Sequence, residues 1–105
     1  MIKVTCGIDK ISIEGHSGYS ERGTDIVCAS VSTAVNVTVN AILRINNNAI
    51  DYKDDSKVIT IKNISKDDIT NNLIDNLIAI LLDLSKQYPK NIKIEMEEEK
   101  WWIII

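Results

Sequence analysis

The sequence predicts an α+β fold in which two helices pack on a mainly antiparallel sheet. Short stretches alternate apolar and polar residues, a pattern typical of strands with one buried face. Two longer stretches repeat apolar residues every three or four positions, which is typical of amphipathic helices. The predicted order is β-β-α-β-β-α-β over one domain, residues 1–105. This order places both helices on one face of the sheet.

The first half of the chain predicts a hairpin followed by a long helix. Residues 2–6 and 11–13 alternate apolar and polar side chains around a turn at 7–10. A helix is then expected over 24–45, although its many β-branched residues lower its intrinsic propensity, so packing must stabilise it. Its apolar stripe consists of Val27, Val31, Val35, Val39 and Ile42.

The second half repeats this arrangement and adds a last strand. Residues 49–52 and 58–61 flank a polar turn, which predicts a second hairpin. Ser65 and Asp68 resemble the capping box of a helix that ends before Pro89. Its expected apolar stripe is Ile69, Leu73, Leu77, Leu81 and Leu84, and the final strand at 91–96 turns Ile92, Ile94 and Met96 inward.

Composition excludes several classes of protein. The net charge of −3 has the same sign as the phosphate backbone of nucleic acids, so no direct nucleic-acid binding is expected. The longest unbroken apolar run, 77–82, is far shorter than the roughly 20 residues of a membrane span. Two cysteines and no secretory leader favour the reducing cytoplasm over a disulfide scaffold.

Residues 14–28 are the most informative stretch for chemistry. They contain the single histidine, His16, at the end of the second strand, and Cys28 near the start of the first helix. If Thr24 or Asp25 is the N-cap, Cys28 occupies the third or fourth helical position, where free N–H groups favour a thiolate. An imidazole nearby could take the thiol proton and return it to a leaving amine.

Other interpretations of the same residues remain open at this point. Cys28 could be a small buried hydrophobe and His16 a histidine satisfied by a backbone carbonyl. A zinc site built from Cys6, His16, Cys28 and Asp25 is disfavoured, since no close Cys or His pair supplies ligand spacing. No metal or other cofactor is therefore expected. Cys6, on a strand, is expected in the core.

The segment Gly-His-Ser-Gly-Tyr-Ser at 15–20, followed by Gly23 and Asp-Ile-Val-Cys-Ala at 25–29, resembles the signature of the Prp family of ribosomal-processing cysteine proteases. The resemblance implies an endopeptidase that removes the N-terminal extension of large-subunit ribosomal protein number twenty-seven, and a homodimer. It also implies that His16 and Cys28 form the catalytic dyad. Further matches to the family motif are Gly15, Asp25 and Ser32. The apolar tail at 101–105 departs from the family pattern.

The roles of the supporting residues leave alternatives. Asp25 could cap the helix or orient His16, and Ser32 could touch the site or bond back to the Cys28 carbonyl. The connection between the dyad residues is expected to act as a lid, because glycines at both ends allow it to open and close. Its residues are Ser17, Gly18, Tyr19, Ser20, Glu21, Arg22 and Gly23. The competing functional hypothesis is a non-catalytic ribosome-associated protein that binds a basic ribosomal protein through its acidic surface.

Overall fold

The computed structural model describes residues 1–15, 22–55 and 57–97, without the side chains of 22–25. Within these ranges the predicted α+β class and element order are confirmed. The apolar tail at 101–105 lies outside the described residues. The elements are β1 (Ile2–Cys6), β2 (Lys10–Glu14), α1 (Arg22–Ile45), β3 (Ile50–Asp54), β4 (Val58–Asn63), α2 (Asp68–Gln87) and β5 (Ile92–Met96).

The five strands form one sheet in the order β3-β4-β2-β1-β5. Both predicted hairpins are present, because β1 pairs with β2 and β3 with β4 in antiparallel fashion. The exception is β5, which lies parallel to β1 with Ile2 opposite Ile92. Since α2 carries the chain back along the sheet before β5 begins, β5 can run in the same direction as β1.

Burial alternates along the strands and marks one face of the sheet as the core. In β1 the side chains of Ile2 and Val4 are fully buried, whereas Lys3 between them is exposed. Both helices cover this apolar face and contact each other. All five residues of the predicted α1 stripe are buried, so the period of that pattern identified the core face of the helix correctly.

Helix α2 differs from its prediction in both its cap and its buried face. Asp67 is the N-cap, and its carboxylate accepts a hydrogen bond of 2.8 Å from the Thr70 N–H. Ser65 instead donates its hydroxyl hydrogen bond to the Thr70 side chain. Ile69 is 54% exposed, because the buried stripe is rotated around the helix. Its members are Thr70, Ile74, Leu77, Ile78 and Leu81.

The hydrogen bond from Asp67 that caps α2 should make the stability of the fold depend on pH in the acidic range. The Thr70 backbone N–H, helped by the Ser65 and Thr70 side chains, holds the pKa of Asp67 below its usual value. A carboxyl whose pKa is lower in the folded state stabilises the fold above its unfolded pKa, and this contribution is lost as pH falls through the folded pKa. We therefore expect Asp67→Asn to lose less stability than the parent between about pH 4 and pH 2. Thermal unfolding followed by circular dichroism measures the stability of both proteins at each pH. An equal loss of stability in the two proteins over this pH range would contradict the prediction.

Helix α1, which packs on one face of the sheet, is rich in apolar residues. Among the described residues, its stretch Ile26–Ile45 is long and apolar enough to cross a membrane, with a mean hydropathy of 1.8. Polar Thr and Asn residues interrupt this helix, so it contains no long unbroken apolar run although its mean hydropathy is high. Core helices of soluble proteins meet the same criterion, and the valine stripe of α1 packs into the core.

Candidate active site

Cys28 lies farther into α1 than the sequence predicts. The helix begins at Arg22, so Cys28 is its seventh residue and belongs to the second turn. The expectation of an N-cap at Thr24 or Asp25 is therefore wrong, because both residues have helical backbone. Beyond the first turn the backbone N–H groups are bonded within the helix, and the effect of the helix dipole declines. A neighbouring base has to contribute more to forming a thiolate at this position.

The two cysteines have different environments, and neither forms a disulfide. Cys6 in β1 is 1% exposed and belongs to the core, as predicted. Cys28 is only partly buried and packs against the edge of the core cluster, next to the fully buried Val27. A nucleophile needs both a fixed position and an open side from which substrate can approach. Of the two thiols, Cys28 meets both requirements.

Ser32 lies one helical turn after Cys28 on the same flank of α1, and it is partly buried. A bond of the kind considered for Ser32 is present at Ser30 in the same helix. Ser30 donates its hydroxyl hydrogen bond to the Ile26 carbonyl at 2.9 Å. For Ser32 both roles, contact with the site and a bond back to the Cys28 carbonyl, stay predictions.

Gly15, directly before His16 in the sequence, has a backbone that only glycine adopts without strain. Its φ is +85°, in the left-handed region. A Cβ at this position would collide with the carbonyl oxygen of Met1. The conformation of Gly15 and the neighbouring Met1 carbonyl therefore set the direction in which the chain leaves β2 toward His16. The positive φ and the close Met1 carbonyl explain why glycine is needed at position 15, a reason that the sequence alone did not supply.

Several predicted site residues lie outside the described part of the chain. These are His16 and the lid residues 17–21. The last two residues assigned to the lid, Arg22 and Gly23, are the first residues of α1. Asp25 lies inside the helix and is not its N-cap, which leaves orientation of His16 as the role to test. Among the described side chains, no group of three His, Cys, Asp or Glu residues could hold a metal ion.

Comparison with known proteins shows the class of protein to which this chain belongs. The family model described as Cysteine protease Prp matches residues 1–93. The curated protein "Ribosomal processing cysteine protease Prp" of Mycoplasma pneumoniae is 30% identical over 100 residues, covering 90% of this chain and 94% of that protein. The protein of the same name from Staphylococcus aureus is 26% identical over 90 residues, covering 83% and 85%. The chain is thus a cysteine endopeptidase.

The particular family follows from the same matches: the chain belongs to the Prp cysteine proteases. The fold agrees with a crystal structure of the Prp protease from S. aureus in complex with a substrate peptide. The TM-score to that structure is 0.85 at 24% identity, and the match covers 92% of this chain and 100% of that one. The expectation of an enzyme is confirmed, whereas the hypothesis of a non-catalytic binding protein does not fit this family.

Proposed function

We propose that this protein removes the N-terminal extension of large-subunit ribosomal protein number twenty-seven, with Cys28 as nucleophile and His16 as its base. The observation that carries the proposal is the contrast between the thiols. In a chain of the Prp family, Cys28 is partly accessible on a rigid helix, whereas Cys6 is fully enclosed. The names of the curated relatives, which describe ribosomal processing, support the class of substrate.

The proposed chemistry needs no group beyond the dyad and water. His16 takes the Cys28 proton, and the thiolate sulfur attacks the carbonyl carbon of the scissile bond. The tetrahedral intermediate collapses as His16 gives that proton to the departing amine, which leaves the extension as a thioester on Cys28. Water then attacks the thioester with His16 as base, and the thiol returns when the extension leaves as a carboxylate.

The direct test is incubation of the purified protein with the N-terminally extended ribosomal protein of the same organism, followed by mass spectrometry. The expected products are the shortened ribosomal protein and one released peptide, with masses that sum to the substrate plus one water. A substrate of unchanged mass, in the presence of protein shown to be folded, would contradict the proposal.

Salt should weaken substrate binding more than it changes thiol reactivity. The protein carries a net charge of −3, and a ribosomal protein substrate is expected to be basic, so part of the attraction is screened as ionic strength rises. We expect KM to increase between low and physiological salt. The rate of Cys28 alkylation by iodoacetamide, a neutral reagent, should change little. A KM independent of salt would show that apolar contacts dominate binding.

We also propose that the protein works in the cytoplasm as a homodimer, with neither a membrane nor a nucleic acid as partner. Neither cysteine forms a disulfide, which agrees with a reducing compartment. The outward side of α1 offers exposed apolar residues for a second copy, including Ile26 at 58% and Val37 at 64% exposure. Light scattering at micromolar concentration tests the dimer, and a monomer mass would contradict it.

A further inference from the structure

A cavity of about 260 Å³ lies at the end of the sheet opposite Gly15. It is open to solvent on one side and is lined by the turn between β1 and β2, the end of β4, the loop after β4 and the first turns of α2. The register separates the two ends, because Lys10 pairs with Lys62 beside the cavity whereas Glu14 pairs with Val58 at the Gly15 end. Four residues of strand correspond to about 13 Å. The cavity is therefore distinct from the surroundings of Gly15.

The polar wall of the cavity is a closed network of amides. Asn63 is 9% exposed and donates from Nδ2 to the Asn71 Oδ1 at 2.8 Å. Its Oδ1 accepts the Lys66 N–H at 2.9 Å, while Asn71 Nδ2 donates to the Lys66 carbonyl. These bonds hold Lys66 at φ +55°, which is unusual for a residue with a Cβ. The wall is thus rigid before any ligand arrives.

The charges that line the cavity do not cancel. Lys66 Nζ lies 3.1 Å from the Asp9 carboxylate, so these two groups neutralise each other. Asp75, one turn after Asn71 on α2, also lines the cavity and is half-buried. Within the described ranges its carboxylate forms neither an ion pair nor a side-chain hydrogen bond. One negative charge therefore remains for a ligand to neutralise.

The cavity also offers apolar surface next to that charge. Ile74 forms part of its floor and is 5% exposed, and Ile8 at the tip of the β1–β2 turn is 63% exposed. An apolar wall beside a carboxylate suits the side chains of lysine and arginine, whose methylene stems pack on apolar surface while the charged end stays polar. Pockets for drug-sized ligands usually measure about 300–1,000 Å³, so this cavity fits one side chain better than a larger molecule.

We propose that this cavity binds a lysine or arginine side chain of a partner polypeptide, with the cation on Asp75 and the stem between Ile8 and Ile74. Under the proposed function it gives a basic substrate a second contact, remote from the bond that is cut. The binding itself does not depend on the protease chemistry. The test therefore measures binding to the Cys28→Ala protein, so that its failure and a failure of the proposed function are distinguishable.

The probes are the tripeptides acetyl-Gly-Arg-Gly-amide and acetyl-Gly-Lys-Gly-amide, with citrulline and acetyl-lysine versions as neutral controls of nearly the same shape. Nuclear magnetic resonance follows the side-chain amides of Asn63 and Asn71 and the backbone amide of Asp75 during titration. We expect saturable shifts with a millimolar Kd for at least one charged peptide. The neutral peptides should shift these signals little.

Matched protein variants show whether peptide binding depends on the cavity itself or only on the overall negative charge of the protein. Asp75→Asn should weaken binding at least about fivefold, whereas Asp83→Asn, an exposed α2 residue with the same change in charge, should weaken it less than about twofold. If Asp75→Asn fails to fold, Ile8→Ser at the exposed lip replaces it and should also weaken binding. The proposal is overturned if neutral and charged peptides produce equal shifts, if Asp83→Asn weakens binding as much as the cavity variant, or if the amide signals do not move.

Discussion

Cys28→Ala should reduce cleavage of the extended ribosomal protein by at least about a thousandfold while the fold persists, because the proposed thioester forms on the Cys28 sulfur. Cys28 is only partly buried at the edge of the core, so removing its sulfur leaves a small, partly solvated gap. Cys28→Ser should also be a poor enzyme, since a hydroxyl is much harder to deprotonate than a thiol. Rates are measured by mass spectrometry of the product, with circular dichroism as the check on folding.

Cys6→Ala is the matched control for this experiment. Cys6 is 1% exposed within the core, so the substitution should cost on the order of 1 kcal/mol of stability through lost packing. Cleavage per folded molecule should stay close to that of the parent. The assignment of the nucleophile would fail if the Cys6 variant were inactive though folded, or if the Cys28→Ala variant still cut.

Gly15→Ala should destabilise the protein by about 1–3 kcal/mol, a large effect for the addition of one methyl group. The new Cβ has to occupy a left-handed backbone and displace the Met1 carbonyl, which is part of the chain entering β1. Relief of the collision moves the residue that follows, His16, so kcat should fall even at temperatures where the variant is folded. Urea unfolding and steady-state kinetics measure the two effects separately.

The control is the same substitution at Gly7, whose φ lies outside the left-handed region. A Cβ there would come within 3.3 Å of the Glu97 carboxylate and 3.5 Å of the Lys10 carbonyl. The tip of a glutamate can move aside easily, so Gly7→Ala should change stability by less than about 1 kcal/mol. Equal losses at the two glycines would show that the backbone conformation of Gly15 has no special role.

The parts of the fold that sequence predicts well are those governed by local periodicity. The valines of α1 recur at helical spacing and all face the core, and both hairpins form around polar turns. At the start of α2, Ser65 and Asp67 both offer a capping oxygen. Asp67, with extended backbone, is the residue that caps the helix. Such a choice depends on backbone angles that a pattern of residue types does not contain.

The pairing of β5 with β1 could not be derived from periodicity, because alternation reveals a buried face and not a neighbour. The same limit applies to function. Cys28 stands out by its motif, but its position in the second turn of α1 depends on where the helix starts. The cavity at the other end was not predicted, since Ile8 and Asp9 meet Asp75 only when the β1–β2 turn packs beside α2.

The parallel pairing of β5 with β1 also has a consequence for synthesis on the ribosome. Ile2 pairs with Ile92, which is synthesised about ninety residues later, so the sheet cannot be completed before Ile92 has been made. Contacts this distant in sequence form slowly, and until then the open edge of β1 can pair with another chain. Helix α1, which carries the cysteine, emerges long before that closure. Because β5 is the last described element, the sheet on which α1 packs is complete only after nearly all of the described chain has been made.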